Sequence, residues 1–475
     1  MTQIAAPERI ARLPLAPLNP LPLRQQVDSL RRFHTGPVEF RDAGGPVTRI
    51  RLAPKWLMPE IVIVTSPRGA HDVLGLSDAI VERTRLHDEM RDQIGTSLFV
   101  ARHEQWLPRR RLLQPIFTKR RVTGFGGHMV GAAADIAAGW PLAGAVDLDE
   151  QCRRVTLRAL GRSVLGLDLD EHSDLLAVPL RTMLTYVTDR TMSPVSLPRW
   201  VPTRRQRRAR AASATLRALA TDVLAACRAD QDRDAPLVRA LMAATDPETG
   251  RGLSDAEIAD ELVVFIGAGH DTTATTMAYA LWQLGRHEAI QARVRDEADA
   301  LGDRPLQSGD VSRLPYTVQV LHEALRMCPP AATNARMTTR DIVVDGYRVA
   351  AGTMVAVGVY ALQRDPRLWH EPERFDPDRF RPEAAKAIDR WQYLPFGAGP
   401  RKCIGDHFAM LELALALATI VRAVEIRSQS DDFPMDTPFT TVAAAPVMVD
   451  AHAVARRPAK APDRPEVASD ATSVV

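Results

Sequence analysis

Phe396-Gly397-Ala398-Gly399-Pro400-Arg401-Lys402-Cys403-Ile404-Gly405 sets a single cysteine in a glycine-bracketed loop, and the chain then runs straight into an apolar stretch. The positions follow the pattern F-x-x-G-x-R-x-C-x-G. A thiolate presented to an iron needs its charge stabilised, and backbone N–H groups aimed at sulfur do this where the chain turns tightly. Gly399 and Gly405 are read as permitting that turn. Residues 404–420 read as a helix with Phe408, Leu411 and Leu415 on one face. Cys403 then sits near the helix N-terminus, where the positive end of the dipole favours an ionised sulfur. Without the flanking pattern Cys403 would read as an ordinary buried cysteine, the commonest place for a free thiol. With it, the segment reads as the ligand loop of a haem-thiolate protein.

The loop resembles that of the cytochrome P-450 family, and three further motifs of that family stand in the same order along the chain. Ala268-Gly269-His270-Asp271-Thr272-Thr273 falls in a helix expected from about Ser254 to Gly285, started by a capping box of Ser254 and Glu257. Splitting an O–O bond in an apolar pocket needs protons delivered there, and a carboxylate beside a hydroxyl is a minimal relay. The resemblance gives Asp271 and Thr272 that role, with Ala268 leaving room for dioxygen. Read alone, Thr272 could equally bond back to a helix carbonyl.

Glu323-Ala324-Leu325-Arg326 places opposite charges one helical turn apart, ahead of Pro329-Pro330. By itself such a pair reads as a solvated surface contact. The segment Trp369-His370-Glu371-Pro372-Glu373-Arg374-Phe375-Asp376-Pro377-Asp378-Arg379-Phe380 follows. The resemblance implies a buried network of Glu323, Arg326 and Arg379, with Arg374 the tempting wrong choice. Trp106-Leu107-Pro108-Arg109-Arg110 matches W-x-x-x-R, with Pro108 a mild departure, tolerable near a helix start. Trp106 and Arg110 are implied to reach one haem propionate, Arg401 to pair with a propionate, and Arg336 to be a further propionate arginine. For Arg336 a solvated strand arginine is the plain alternative. Phe396 is implied to pack against the loop under the porphyrin.

Taken together, the resemblance implies a mainly α fold with a small β region, one P-450-type haem domain over residues 46–450. A proline-rich lead-in (1–45) and a disordered tail (451–475) would flank it. It implies haem b (iron protoporphyrin IX), with Cys403 as the proximal metal ligand and Gly405 beside it. The activity implied is a monooxygenase that inserts one oxygen atom of O2 into a hydrophobic small molecule. The pocket is expected from Val264, Phe265 and Ala268, from Ala331, Ala332, Thr333 and Asn334, and from Thr440, Thr441 and Val442. These residues are small or apolar, and the wording of the loop leans toward fatty-acid and terpenoid hydroxylases, with steroids or polyketides open. A haem-thiolate peroxygenase or isomerase, and a non-catalytic haem-based sensor, are the other readings.

Composition fits this reading without producing it. The 475 residues carry a net charge of +3 and are 45% hydrophobic, enough for a large core. Cys152, Cys227, Cys328 and Cys403 are far apart, with no C-x-x-C pair, so neither a disulfide framework nor a zinc site is expected and a reducing cytoplasm is. No run of 18 apolar residues and no signal-peptide pattern occurs. Only five of the 61 basic residues are lysine, which points to a GC-rich bacterial genome. Arg204, Arg205, Arg207, Arg208 and Arg210 lack interleaved aromatics and read as a solvated helix start rather than a nucleic-acid patch. Arg109, Arg111, Lys119, Arg120, Arg121 and Lys402 belong to segments that the family places on the cysteine side, where an acidic ferredoxin would dock. The 72 residues after Cys403 are too few for a fused flavin domain, so electrons are expected from separate proteins, a ferredoxin and its reductase. A monomer is expected.

Overall fold

The long central helix, Asp255–Arg286, explains most of the architecture. Its start is fixed as the sequence predicts: the Ser254 hydroxyl accepts from Glu257 N–H at 3.3 Å and the Glu257 carboxylate accepts from Ser254 N–H at 2.9 Å. Beyond the first turn most of its residues are buried, the C-terminal half from Thr273 to Leu284 on every side. It ends within one residue of the expected position. The protein, described by a computed structural model over residues 7–167, 173–193 and 198–454, is mainly α with four small sheets among the described residues.

The long helix belongs to the two largest of the core's apolar clusters. Ile258, Leu262, Val263 and Ile266 join one cluster, and Ala274, Met277, Leu281 and Leu284 the other. The turns between, residues 267–273, belong to neither. The helix that follows the cysteine, Asp406–Ala423, is shared in the same way, with Phe408, Leu411 and Leu415 in the first cluster and Leu413, Leu417 and Ile420 in the second. It begins two residues later and ends three residues later than the sequence predicts, so Cys403 precedes the helix rather than lying in it.

The five-stranded sheet has the order Val47–Ile50, Ile61–Val64, Met354–Gly358, Thr333–Thr338, Val81–Glu82. Only the pair Ile61–Val64 with Met354–Gly358 is parallel. Pairing of Val81 with Thr338 and Glu82 with Met337 carries Arg83 to the side of Arg336. The turn Asp345-Gly346, with φ of 48° and 85°, closes a separate hairpin of Ile342–Val344 and Tyr347–Val349, as the Asp-Gly dipeptide predicts.

Both ends differ from expectation. The proline-rich lead-in is integral: it carries helices Pro7–Ala11, Leu23–Leu30 and Gly36–Gly44. It also trades backbone bonds with the first strand, Asn19 N–H to Arg49 O and Arg49 N–H to Pro17 O, both 2.8 Å. Apolar Phe40, 1% exposed, shows why prolines alone misled: the segment has its own core contacts. Residues 451–453 are not tail. They extend strand Met448–Ala453, paired on both edges by Ala143–Asp147 and Val424–Ser428. The rest of the expected tail, 455–475, lies outside the described residues.

Candidate active site

The cysteine loop is built by two left-handed glycines, Gly397 at φ 65° and Gly399 at φ 70°. Gly399 has a second reason to be glycine, since a Cβ there would stand 1.8 Å from the carbonyl oxygen of Leu74. Gly405, expected to make the turn, has an ordinary φ of −95°, and a Cβ on it would meet open space. Its part is played by its amide, which hydrogen-bonds the Cys403 sulfur. Cys403 N–H in turn donates to Phe396 O at 2.9 Å, so the half-buried Phe396 braces the loop through its backbone.

Cys403 is the one solvent-accessible cysteine of the four. Protein nevertheless crowds the sulfur, and that desolvation raises its pKa above the ordinary thiol value. Asp406 adds to the rise, while Gly405 N–H, Arg110 and Lys402 oppose it. The helix starts three residues on, with the Asp406 carboxylate in its first turn, so the favourable effect expected of the helix terminus on the sulfur is set against that carboxylate.

An arginine cluster rims the same loop. Arg401 is almost wholly buried, bidentate on Asp78 through Nε at 2.6 Å and through Nη2, and bonded to Ala101 O at 2.8 Å. Its guanidinium lies 4.4 Å from the Trp106 ring centre. Arg401 thus already has a carboxylate, where a haem propionate was expected. Among the described residues Arg336 and Arg83 have no carboxylate partner, Arg336 Nη1 donating only to the backbone carbonyl of Ala335 at 2.9 Å. Burial, with Arg401 close by, lowers the Arg336 pKa to about 10, and burial with Arg336 and Arg401 pushes Arg83 well down. The Nε of Arg83 is buried without a partner. Two open guanidiniums beside the cysteine loop match the two propionates of a haem in number and in charge. His87, buried and facing Arg83, Arg336 and Arg401, is driven well below its usual pKa and stays neutral. Sequence reading missed Asp78, Arg83 and His87.

Consecutive arginines on helix His103–Leu113 part company. Arg110 points to the loop and donates to Lys402 O at 3.1 Å. Arg109 points the other way and is buried, paired with Glu261 at 2.8 Å and Glu257 at 2.9 Å on the long helix. It is therefore not part of a docking face. Arg111 is likewise engaged, by Asp246 and Glu248, and Lys402 by Asp406 at 2.6 Å. Lys119, Arg120 and Arg121 remain exposed.

Behind the loop stands a closed ionic network. Glu323 and Arg326 are both 0% exposed. Arg326 donates Nε and Nη2 to the two Glu323 oxygens at 2.7 and 2.8 Å, and Nη1 to Gln363 O at 2.9 Å. Arg379 Nε donates to Glu323 Oε1 at 3.3 Å, and Asp376 N–H donates to the same oxygen at 2.9 Å. Arg374 is 65% exposed and pairs with Glu371 instead. Gln363, also unforeseen, ties the network to the cysteine segment. Its amide donates to Leu325 O and Arg326 O at 3.0 Å, and its carbonyl accepts from Leu394 N–H at 2.9 Å.

On the long helix, Val264, Phe265 and Thr272 are half-exposed and Ala268 exposed, an uncovered stripe at helical spacing between the two core clusters. Thr272 faces this stripe, its hydroxyl donating to Ala268 O at 2.7 Å. Asp271 is turned to helix Leu148–Leu160. It pairs with Arg153, which also holds Asp149 at 2.8 Å. Burial works against the Arg153 charge, but Asp271 and Asp149 outweigh it and raise its pKa. His270 is buried against Thr156 Oγ1 at 3.1 Å and lowered to about 4, chiefly by burial. Asp271 and Thr272, the two residues expected to form a relay, are therefore adjacent in sequence but point to different neighbours.

Of the remaining pocket residues, Ala331 is exposed and Asn334 and Thr440 are half-exposed, the Nδ2 of Asn334 being buried and unpartnered. Thr333 donates to Phe33 O at 2.7 Å. Ala332 is buried. Thr441 is fully buried, its N–H and hydroxyl held by Pro330 O and Pro329 O at 2.9 and 2.7 Å. That makes Thr441 a tie between the C-terminal turn and the residues after Pro329, not a wall. Among the described residues no cluster of His, Cys, Asp and Glu could hold a metal ion, and no helix is long and apolar enough to cross a membrane.

The donor set fits a haem: one accessible sulfur with an amide on it, two unpaired arginines beside it, and an uncovered stripe on the long helix. Comparison with known proteins agrees. The cytochrome P450 family profile matches residues 15–449. Cyclooctat-9-en-7-ol 5-monooxygenase of Streptomyces melanosporofaciens is 32% identical over 81% of this chain and 83% of its own. Pentalenene oxygenase of Streptomyces avermitilis is 30% identical over 82% of this chain and 86% of its own. The crystal structure of the cytochrome P450DA heme domain superposes with a TM-score of 0.82 at 24% identity, covering 94% of this chain and 99% of that one. The chain belongs to the cytochrome P450 family, whose members carry a haem on a cysteine thiolate.

Proposed function

We propose that this cytochrome P450 is a monooxygenase that inserts one oxygen atom of O2 into a hydrophobic, terpenoid-like molecule, with electrons from a separate ferredoxin and ferredoxin reductase. The observation that carries the reading is the pairing of an accessible, amide-bonded Cys403 with an uncovered stripe that includes Thr272. The terpenoid preference rests on the relatives' names and on the apolar lining from Val264, Phe265 and Ala331.

The haem, when bound, supplies dioxygen activation and the oxidising power for attack on a C–H bond. The chain's own groups do the rest. Cys403 would hold the metal, and Gly405 N–H, Arg110 and Lys402 would offset the charge of its sulfur. Arg83 and Arg336 would neutralise the propionates, and Trp106 buttresses Arg401 at the rim. Phe265 and Val264 exclude water and orient the substrate. Thr272 presents a hydroxyl into the pocket and can give its proton there by leaving Ala268 O. Asp271 can recharge it only after releasing Arg153 and taking up a proton from solvent, so Arg153 controls when the carboxylate is available. Lys119, Arg120 and Arg121 form the exposed cationic face for an acidic electron donor.

Holoenzyme titrated with diterpene and sesquiterpene alkenes, fatty acids and steroids should show a low-to-high-spin shift first with the terpenes. NADPH-dependent oxygen uptake with surrogate ferredoxin and reductase should then yield hydroxylated product. Turnover with peroxide alone, and none with the redox partners, would favour a peroxygenase, a reading to which the engagement of Asp271 by Arg153 lends some support. Haem binding with no turnover by either route would leave a sensor.

A further inference from the structure

Residues 95–101, Gly-Thr-Ser-Leu-Phe-Val-Ala, form a strap between helices Arg85–Ile94 and His103–Leu113 and have no strand or helix of their own. Charged side chains from several elements hold its backbone. From the long helix, Asp260 accepts Thr96 N–H at 2.9 Å and Glu261 accepts Leu98 N–H at 2.8 Å. From the following helix, Arg109 donates to Thr96 O at 2.7 Å while paired with Glu261 at 2.8 Å. From the cysteine loop, Arg401 donates to Leu98 O at 3.5 Å and Ala101 O at 2.8 Å. The Phe99 ring lies 5.2 Å from the Arg83 guanidinium and packs on His87. One face of the strap thus meets two consecutive acids of the long helix, and the other meets the arginine rim of the cysteine loop.

We infer that Glu261, with Asp260 beside it, is a positioning residue for the cofactor: it clamps the strap to the long helix, and the strap holds Arg401 and Phe99 at the propionate side of the site. The inference rests on the haem-binding reading above. Glu261 touches no reacting group. Its Oε1 is doubly engaged, and its Oε2 is buried with no partner, a carboxylate used on one side only.

The clamp has a defined pH sense. The groups facing Glu261 are Arg109 and Leu98 N–H. On its own helix they are Asp260, itself held by Arg217, and Glu257, itself held by Arg251. Burial outweighs Arg109 and the amide and raises the Glu261 carboxyl to about 7. Asp260 is raised too, burial outweighing Arg217. With the strap open, Glu261 would return toward its ordinary 4.5. The closed strap therefore binds the proton more tightly. Closure is fully favoured below the ordinary carboxyl value and weakens as pH rises through about 7.

The test is haem transfer from holoenzyme to apomyoglobin between about pH 6 and about pH 8.5, with strap amide exchange, corrected for intrinsic rates, as a second reading. Wild type should lose haem on the order of five-fold faster at the upper end. Glu261→Gln, a permanently neutral carboxamide that keeps the acceptor, should show a flatter profile and retain haem better than wild type at high pH. Glu261→Ala should lose haem rapidly at every pH. Protection of Thr96 and Leu98 amides should follow the same order. A Glu261→Gln profile that superimposes on wild type, or a faster loss toward low pH, overturns the inference. Strap amides that follow the predicted order in a chain that binds no haem would support the clamp and contradict the functional reading.

Discussion

The two sides of the site are built on different terms. On the cysteine side the ionic groups are closed: Glu323 engages Arg326, Arg379 and the Asp376 amide at full burial, and Gln363 passes that order to Leu394. On the long-helix side, where the proposed function puts the oxygen chemistry, they are provisional. Thr272 donates to the nearest helix carbonyl, and Asp271 is borrowed by Arg153. A metal ligand must be placed once and held, whereas a proton relay has to change partners during turnover. The rigid side should answer mutation with loss of haem and the provisional side with loss of coupling.

The largest effect is expected at Glu323. Glu323→Ala leaves the guanidinium of Arg326 buried and unpaired, a change that costs about 3–5 kcal/mol. Haem content and the thermal midpoint should both collapse. Arg374→Ala, at the exposed arginine of the same segment, should change neither. Normal haem content in Glu323→Ala would erase the distinction between the two sides. Gly399→Ala comes next, because its Cβ would overlap Leu74 O and its φ is positive. It should lower haem incorporation with little change in helix content by circular dichroism.

On the provisional side, Thr272→Ala should keep haem and NADPH oxidation while product per NADPH falls on the order of ten-fold or more, the missing electrons appearing as peroxide or water. Arg153→Gln frees Asp271 and should alter coupling by a few-fold with haem content unchanged, as measured by product-to-NADPH ratio. If Arg153→Gln instead cost haem, Arg153 would belong with the rigid side. The smallest effect is expected at Lys119, Arg120 and Arg121. Changing all three to Gln should raise the apparent KM for an acidic ferredoxin several-fold at low ionic strength, with kcat held, and the difference should fade as salt screens the pair.

What the sequence made legible were features with fixed local spacing. The capping box of Ser254 and Glu257 placed the long helix to within a residue, and the one-turn separation of Glu323 and Arg326 placed their pair on one face. Partners supplied from far along the chain were not legible. Asp78 lies 323 residues from Arg401, and nothing in either neighbourhood announces the other. Arg83 is brought to Arg336 only by the register of a two-residue strand. Helix phase hid the rest. Arg109 and Arg110 look interchangeable in a run of three arginines, yet a 100° rotation sends one to the long helix and the other to the cysteine loop. The same one-residue step separates half-exposed Thr440 from Thr441, which is spent on the carbonyls of Pro329 and Pro330. At the termini, prolines and charges described composition correctly and contact wrongly, because isolated backbone pairing leaves no periodic trace.

The central claim is that Cys403 holds a haem as its thiolate, and one spectrum tests it most directly. The purified protein is reduced with dithionite, carbon monoxide is added, and the difference spectrum is recorded. A Soret band at the strongly red-shifted position of a thiolate ligand, abolished in Cys403→Ala, is the predicted result. A band at the position of histidine or neutral-thiol ligation in folded protein, or a thiolate band that survives Cys403→Ala, would contradict the account.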